Sequence, residues 1–205
     1  MVRVKVCGLK RVEDALLAVE LGAEMLGLNF WKGSARKIEL SEAREIASVI
    51  KGKAKIVGVF VNQSLEDVLE IAQAIPLDMV QLHGEETPGY CNQLSIPVIK
   101  ALRLGEESDL RNLDLYPKVL WLIDSKTERY GGSGISPDWA LARKANEKAG
   151  KIILAGGLNP ENVAQAIQIV QPWAVDVASG IEISPGVKDK NKMRKFFEEL
   201  KNVAG

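Results

Sequence analysis

The chain has 205 residues, and its 27 Lys plus Arg balance 27 Asp plus Glu for a formal net charge of zero. That balance speaks against a basic nucleic-acid-binding face as the main function, and no apolar run approaches the ~20 residues of a membrane span. The N-terminus leads straight into a strand pattern without a leader, and two distant cysteines make no disulfide framework, so the expectation is one reduced, cytoplasmic domain spanning residues 1–205.

Buried-strand patterns alternate with amphipathic helix patterns along the chain. Strands are expected at Val2–Cys7, Met25–Phe30, Lys55–Asn62, Met79–His83, Val98–Leu102, Lys118–Asp124, Lys151–Gly156 and Ala174–Ala178. Helices are expected at Val12–Leu21, Ser41–Ile50, Leu65–Ala74, Pro88–Leu94, Pro137–Ala149, Pro160–Val170 and Asp189–Val203. Ser41 before Glu42, and Asn159 before Pro160, are helix start signals. Glu106–Leu115 has room only for a short or irregular fifth helix. The basic stretch Lys188–Lys195 reads as the solvated face of the terminal helix. Eight strand–helix units at this length fit a (β/α)₈ TIM barrel of near-minimal size. A doubly wound open sheet is the alternative, disfavoured because no Gly-x-Gly-x-x-Gly turn follows the first strand.

In a barrel, alternate strand residues point inward, and polar inward residues near the C-terminal strand ends usually carry the chemistry. If Cys7 points inward, so do Lys5 and Arg3. The same reasoning groups Gln81 with His83, and Asp124 with Leu122 and Leu120. Cys7 before Gly8 and Asp124 at the end of an apolar run are therefore candidates for proton transfer at two positions of one small substrate. Strand eight neighbours strand one, so an inward Lys5 has Asp176 as its natural partner, either in the site or as a purely structural pair. Cys91 reads as helix packing. His83, the only histidine, is a candidate substrate contact or a local structural hydrogen bond. One histidine and two distant cysteines make no metal-ligand cluster.

Two glycine turns follow strands seven and eight: Leu154-Ala155-Gly156-Gly157-Leu158-Asn159 and Ala178-Ser179-Gly180-Ile181-Glu182. Backbone N–H groups in such turns cradle a phosphate dianion without a charged side chain, and the pair together points to a phosphorylated small-molecule substrate. Arg36, in the loop Trp31–Glu39, is a candidate carboxylate clamp. The glycine-rich segment Ser125–Ser136 is long enough to act as a lid.

These stretches, in order, resemble the phosphoribosylanthranilate isomerase family. The matching segments include Val4-Lys5-Val6-Cys7-Gly8-Leu9, Gly58-Val59-Phe60-Val61-Asn62, Val80-Gln81-Leu82-His83-Gly84-Glu85, Asp124-Ser125-Lys126, Gly131-Gly132-Ser133-Gly134, Leu154 to Val163, and Asp176 to Glu182. The resemblance covers essentially the whole chain. It implies a (β/α)₈ barrel that converts N-(5-phosphoribosyl)anthranilate into the 1-(2-carboxyphenylamino)-1-deoxyribulose phosphate by an Amadori rearrangement, with no metal or organic cofactor. It further implies Cys7 as general base, Asp124 as general acid, Arg36 at the anthranilate carboxylate, and Gly157, Ser179 and Gly180 on the phosphate side. The segment Phe30 to Arg36 departs from the family's commoner Tyr-Pro and Ser-Pro-Arg pattern. A thiol base needs help to ionise, for which Lys5 is positioned, and the acid needs burial to keep its proton.

Three other readings remain open: another phosphate-binding barrel isomerase, a catalytically silent phosphosugar-binding barrel, and a structural or interaction barrel. An Amadori isomerase of histidine biosynthesis is expected to carry aspartate where Cys7 stands. The sequence leaves monomer and homodimer undecided.

Overall fold

The computed structural model describes residues 2–116, 118–125 and 138–203. Eight parallel strands close into a barrel in sequence order: β1 (Arg3–Cys7), β2 (Met25–Asn29), β3 (Lys55–Phe60), β4 (Met79–Leu82), β5 (Val98–Leu104), β6 (Leu120–Ser125), β7 (Ile152–Leu154) and β8 (Ala174–Val177). Closure comes from β8 pairing with β1, in a register that sets Lys5 opposite Asp176 and Val6 opposite Val177. The open-sheet alternative is thereby excluded.

The strands are apolar on both faces because both faces are covered. Inward residues Met25, Val57, Ile99, Leu122, Ile153 and Ala174 fill the barrel, together with Ala101 and Ala155. Outward residues such as Val4, Leu26, Ile56 and Leu82 pack beneath the helices. Phe60 is wholly buried and stacks on Phe30 with ring centroids 5.4 Å apart. Burying a side chain of that size contributes roughly 1.5–3 kcal/mol.

The helices are α1 (Val12–Leu21), α2 (Leu40–Ile50), α3 (Leu65–Ala74), α4 (Pro88–Cys91), α5 (Trp139–Ala149), α6 (Val163–Val170) and α7 (Lys190–Val203). Ser64 caps α3 by accepting the Asp67 N–H, and Asp138 caps α5 through Ala140 and Leu141. The segment Glu107–Leu115 is a 3₁₀ helix, in keeping with the short or irregular fifth helix expected from the room between β5 and β6. Two helices are shorter than their sequence patterns by three residues each. After Cys91 the chain tightens into i→i+3 bonds, Gln93 N–H to Tyr90 O and Leu94 N–H to Cys91 O, so α4 ends early. The α6 pattern begins at Pro160, but Asn159 Oδ1 accepts the Glu161 N–H and forms a turn, deferring the helix to Val163.

A short hairpin, β9 (Glu182–Ser184) and β10 (Val187–Lys188), follows the eighth barrel strand and was not anticipated. Its connection is Pro185-Gly186, with Gly186 at φ 84°, the residue pair that a type II turn favours. The expected helix start at Pro137 and, apart from Ser125, the expected lid Ser125–Ser136 lie outside the described residues.

Candidate active site

A pocket opens at the C-terminal end of the barrel, lined by Cys7, Arg36, His83, Asp124, Gly157 and Ser179. Six of the seven residues expected from the sequence thus meet in one place; Gly180 does not line it. Asn29, Ser34, Gln81 and Asp176 line it as well.

Cys7 ends β1, and its thiol is buried. Its register partner on β2 is Gly27, where a Cβ would fall 2.6 Å from the Cys7 sulfur, so only glycine leaves the thiol room. Two residues back, Lys5 is wholly buried and donates to Asp176 Oδ1 at 2.8 Å. Burial pulls the Lys5 pKa down, but Asp176 and Cys7 outweigh it, and the ammonium is held above its ordinary value. For Cys7 the balance runs the other way. Burial pushes the thiol up, and the cationic Lys5 and Lys188 oppose that shift without overcoming it. Lys5 thus favours the thiolate as expected, but desolvation is the larger effect and the thiol is raised on balance in the free protein.

Asp124 is the penultimate residue of β6 and is buried. Its Oδ1 accepts the Ser125 N–H at 2.8 Å, and its Oδ2 lies 3.2 Å from His83 Nε2. His83 follows directly on β4, and its Nδ1 lies 2.9 Å from Gln81 Nε2. The local hydrogen-bond role considered for His83 is thus present in the structure.

Arg36 reaches the pocket on a carboxylate anchor. Its Nε donates to Glu182 at 3.0 and 3.1 Å and its Nη2 at 2.7 Å. The same carboxylate accepts Lys188 Nζ at 2.8 Å, and Lys188 Nζ donates onward to Cys7 O at 2.6 Å and Ala178 O at 3.2 Å. Burial pushes the Glu182 carboxyl up, but the Arg36 bond and Lys188 outweigh it and hold it below the usual carboxylate value. Lys188 corrects the sequence reading: its side chain is wholly buried instead of lying on a solvated helix face. The reason is local, since Lys188 sits on β10 and α7 starts only at Lys190. The Pro-Gly pair at residues 185–186 was the signal that a hairpin precedes the helix.

The two glycine turns meet beside the thiol. Gly156 and Gly157 take φ of 86° and 60°, and Ser179 opens a single 3₁₀ turn, Ser179–Ile181. A Cβ at Gly180 would lie 2.0 Å from Leu158 O. Gly180 therefore lets the turn after β8 press against the turn after β7, a close approach that no other residue allows.

Among the described residues, no helix is long and apolar enough to cross a membrane, and no cluster of three or more His, Cys, Asp or Glu side chains is arranged to hold a metal. Comparison with known proteins adds an independent line. Residues 4–199 match the family model described as N-(5'phosphoribosyl)anthranilate (PRA) isomerase. The chain is 46% identical over 205 residues to the N-(5'-phosphoribosyl)anthranilate isomerase of Thermotoga neapolitana, covering 99% of this chain and 100% of that one. It superposes on the crystal structure of phosphoribosyl anthranilate isomerase from Thermotoga maritima with a TM-score of 0.92 at 43% identity, covering 98% and 100% of the two chains. A further crystal structure, of phosphoribosyl anthranilate isomerase in complex with reduced 1-(o-carboxyphenylamino)-1-deoxyribulose 5-phosphate, matches with a TM-score of 0.89 at 40% identity, again over 98% and 100%.

Proposed function

Because the chain belongs to the N-(5'-phosphoribosyl)anthranilate isomerase family, we propose that Cys7 and Asp124 divide the acid–base work of its reaction. That reaction is an aldose–ketose isomerisation in tryptophan biosynthesis. Asp124 gives a proton to the furanose ring oxygen; the C1′–O bond breaks, and the nitrogen lone pair forms a protonated Schiff base. Cys7 as thiolate then takes the proton from C2′. The resulting enolamine gains a proton at C1′ and loses the C2′ hydroxyl proton, giving the ketone.

What supports this reading is that one pocket is lined by both Cys7 and Asp124, and that Arg36, Gly157 and Ser179 line it too. The Arg36 guanidinium, held by Glu182 through Nε and Nη2, is the clamp for the anthranilate carboxylate. Gly157 and Ser179 offer backbone amides to the phosphate, with Gly180 allowing the two turns to meet. The burial of the Cys7 thiol fits a base that releases its proton to solvent only when a cation forms beside it, and the Schiff base is that cation; after turnover Cys7 holds the C2′ proton and Asp124 regains a proton from solvent. The compartment we expect is the cytoplasm, where thiols such as Cys7 and Cys91 stay free.

The test is turnover of freshly generated phosphoribosylanthranilate, followed by loss of anthranilate fluorescence. Cys7→Ala and Asp124→Asn are each expected to lower kcat by roughly 10²–10⁴-fold, with smaller changes in KM. Near-parental turnover by either variant would remove that residue from its role. A folded, inactive parent that still binds phosphosugars would favour a silent binding barrel.

A further inference from the structure

We propose that Gln81 and His83 are positioning residues for Asp124. They form a hydrogen-bonded chain of fixed polarity that aims the carboxyl group and supplies a donor to the carboxylate left behind when its proton goes to the substrate. This inference rests on the reading of Asp124 as the acid, and it goes beyond that reading in assigning two residues that act through it.

The geometry is a buried line of three side chains. Gln81, His83 and Asp124 are 1%, 8% and 5% exposed. Gln81 Nε2 stands 2.9 Å from His83 Nδ1, and His83 Nε2 stands 3.2 Å from Asp124 Oδ2. The polarity follows from the chemistry of each group. The Gln81 amide nitrogen only donates, so His83 Nδ1 is the acceptor of that bond and carries no hydrogen. A neutral imidazole has one N–H, which is then on Nε2. It donates to Asp124 Oδ2, an oxygen that keeps a lone pair both in the acid and in the carboxylate formed from it. The cost is visible at the far end: among the described residues, Gln81 Oε1 is a buried oxygen without a hydrogen-bond partner.

Two consequences separate this chain from a substrate contact. Both ring nitrogens of His83 are engaged within the protein, so neither is left for a substrate oxygen. And a donor on Asp124 Oδ2 bonds more strongly to the anion than to the neutral acid, so it favours the state formed during ring opening over the ground state. Loss of the chain should therefore appear in kcat more than in KM.

The chain holds one histidine, so the long-range ¹H–¹⁵N spectrum of uniformly labelled protein contains a single imidazole, and its tautomer is read without turnover. The expected result near neutral pH is the Nε2–H tautomer, with Gln81→Met losing that preference. In kinetics, His83→Leu should lower kcat by about 10- to 100-fold, the worth of one hydrogen bond to a charged group, and Gln81→Met, which loses a bond between neutral groups, by about 2- to 10-fold. KM should stay within about three-fold of the parent. His83→Gln, whose amide nitrogen occupies the place of Nε2, should recover most of the loss. An Nδ1–H tautomer in the parent overturns the proposal, as does a His83→Gln variant no better than His83→Leu. A loss confined to KM would make His83 a substrate contact instead. Should the variants not fold, the parental tautomer still decides the polarity. The acid itself is judged separately by Asp124→Asn: full activity there overturns the acid reading and the catalytic half of this one, while the spectrum independently reports whether the chain exists.

Discussion

Glu182→Gln is the perturbation that most directly tests how the substrate clamp is held. The Glu182 side chain is 4% exposed and that of Lys188 is 0% exposed, with the two charges 2.8 Å apart and Arg36 on the other side of the carboxylate. Replacing the carboxylate by an amide keeps the shape but leaves the Lys188 ammonium buried without its anion. Removing one partner of a buried pair costs roughly 3–5 kcal/mol. In a chain of this size each kcal/mol moves Tm by roughly 2–4 °C, so the melting point should fall by roughly 6–20 °C at neutral pH. The second substitution Lys188→Met removes the orphaned charge, and the double variant should regain much of the loss, which a double-mutant cycle reads directly. The pH dependence has a definite sign. The folded-state pKa of Glu182 lies below its unfolded value, so its stabilisation is complete above the ordinary carboxylate pKa of about 4.3 and fades as pH falls through the folded value. The Tm difference between parent and Glu182→Gln should shrink correspondingly in acid. Circular-dichroism melts across pH supply the data, and steady-state KM should rise in the variant as Arg36 loses its anchor. A Glu182→Gln protein melting within about 2 °C of the parent at pH 7 would refute the energetic argument, since a buried unpaired ammonium cannot be that cheap.

Arg36→Lys keeps the charge but loses the planar fork, and KM should rise by about 10-fold or more; an unchanged KM would place the anthranilate carboxylate elsewhere. In the free protein, alkylation of Cys7 by iodoacetamide, measured in a Cys91→Ala background, should follow a titration above the ordinary thiol value of about 8.5. A midpoint below that value would mean that Lys5 and Lys188 outweigh burial after all. Inorganic phosphate should raise the Tm of the parent, and Gly157→Val, which forces a β-branched residue to φ 60°, should abolish that protection if the variant still folds. Gly180→Val is the poorer probe, because its Cβ strikes Leu158 O and would report packing before anion binding.

The barrel was legible because each strand buries both faces and so reads as an apolar run, and because eight such runs alternate with helical patterns. Cys7 and Asp124 were legible for the same reason, as reactive side chains ending apolar strands. The Lys5–Asp176 pair could be anticipated, since barrel closure makes β8 the neighbour of β1. Other contacts leave no local trace. Arg36 and Glu182 are 146 positions apart, and Lys188 reaches the carbonyl of Cys7 across 181. No periodicity encodes an ion pair of that separation, and Lys188 sits at the head of a basic run that composition alone assigns to solvent. Gln81 and His83 were placed on one face by the strand period, but the chain they form ends on Asp124, from a different strand.

The chemistry read from the sequence also assumed that the site would favour a resting thiolate, and the burial of Cys7 orders events differently. A thiol whose pKa is raised in the free protein needs positive charge beside it before it can take a proton from carbon. Lys5 and Lys188 supply part of it, but each is also paired with a carboxylate, Asp176 and Glu182, and together they do not overcome burial. On the mechanism proposed above, the missing charge is the protonated Schiff base, which does not exist until Asp124 has released its proton and the ring has opened. Acid catalysis thus precedes base catalysis because the product of the first step creates the electrostatic condition for the second. In the absence of substrate, the thiol stays protonated and less open to oxidation, since the reactive form is the thiolate.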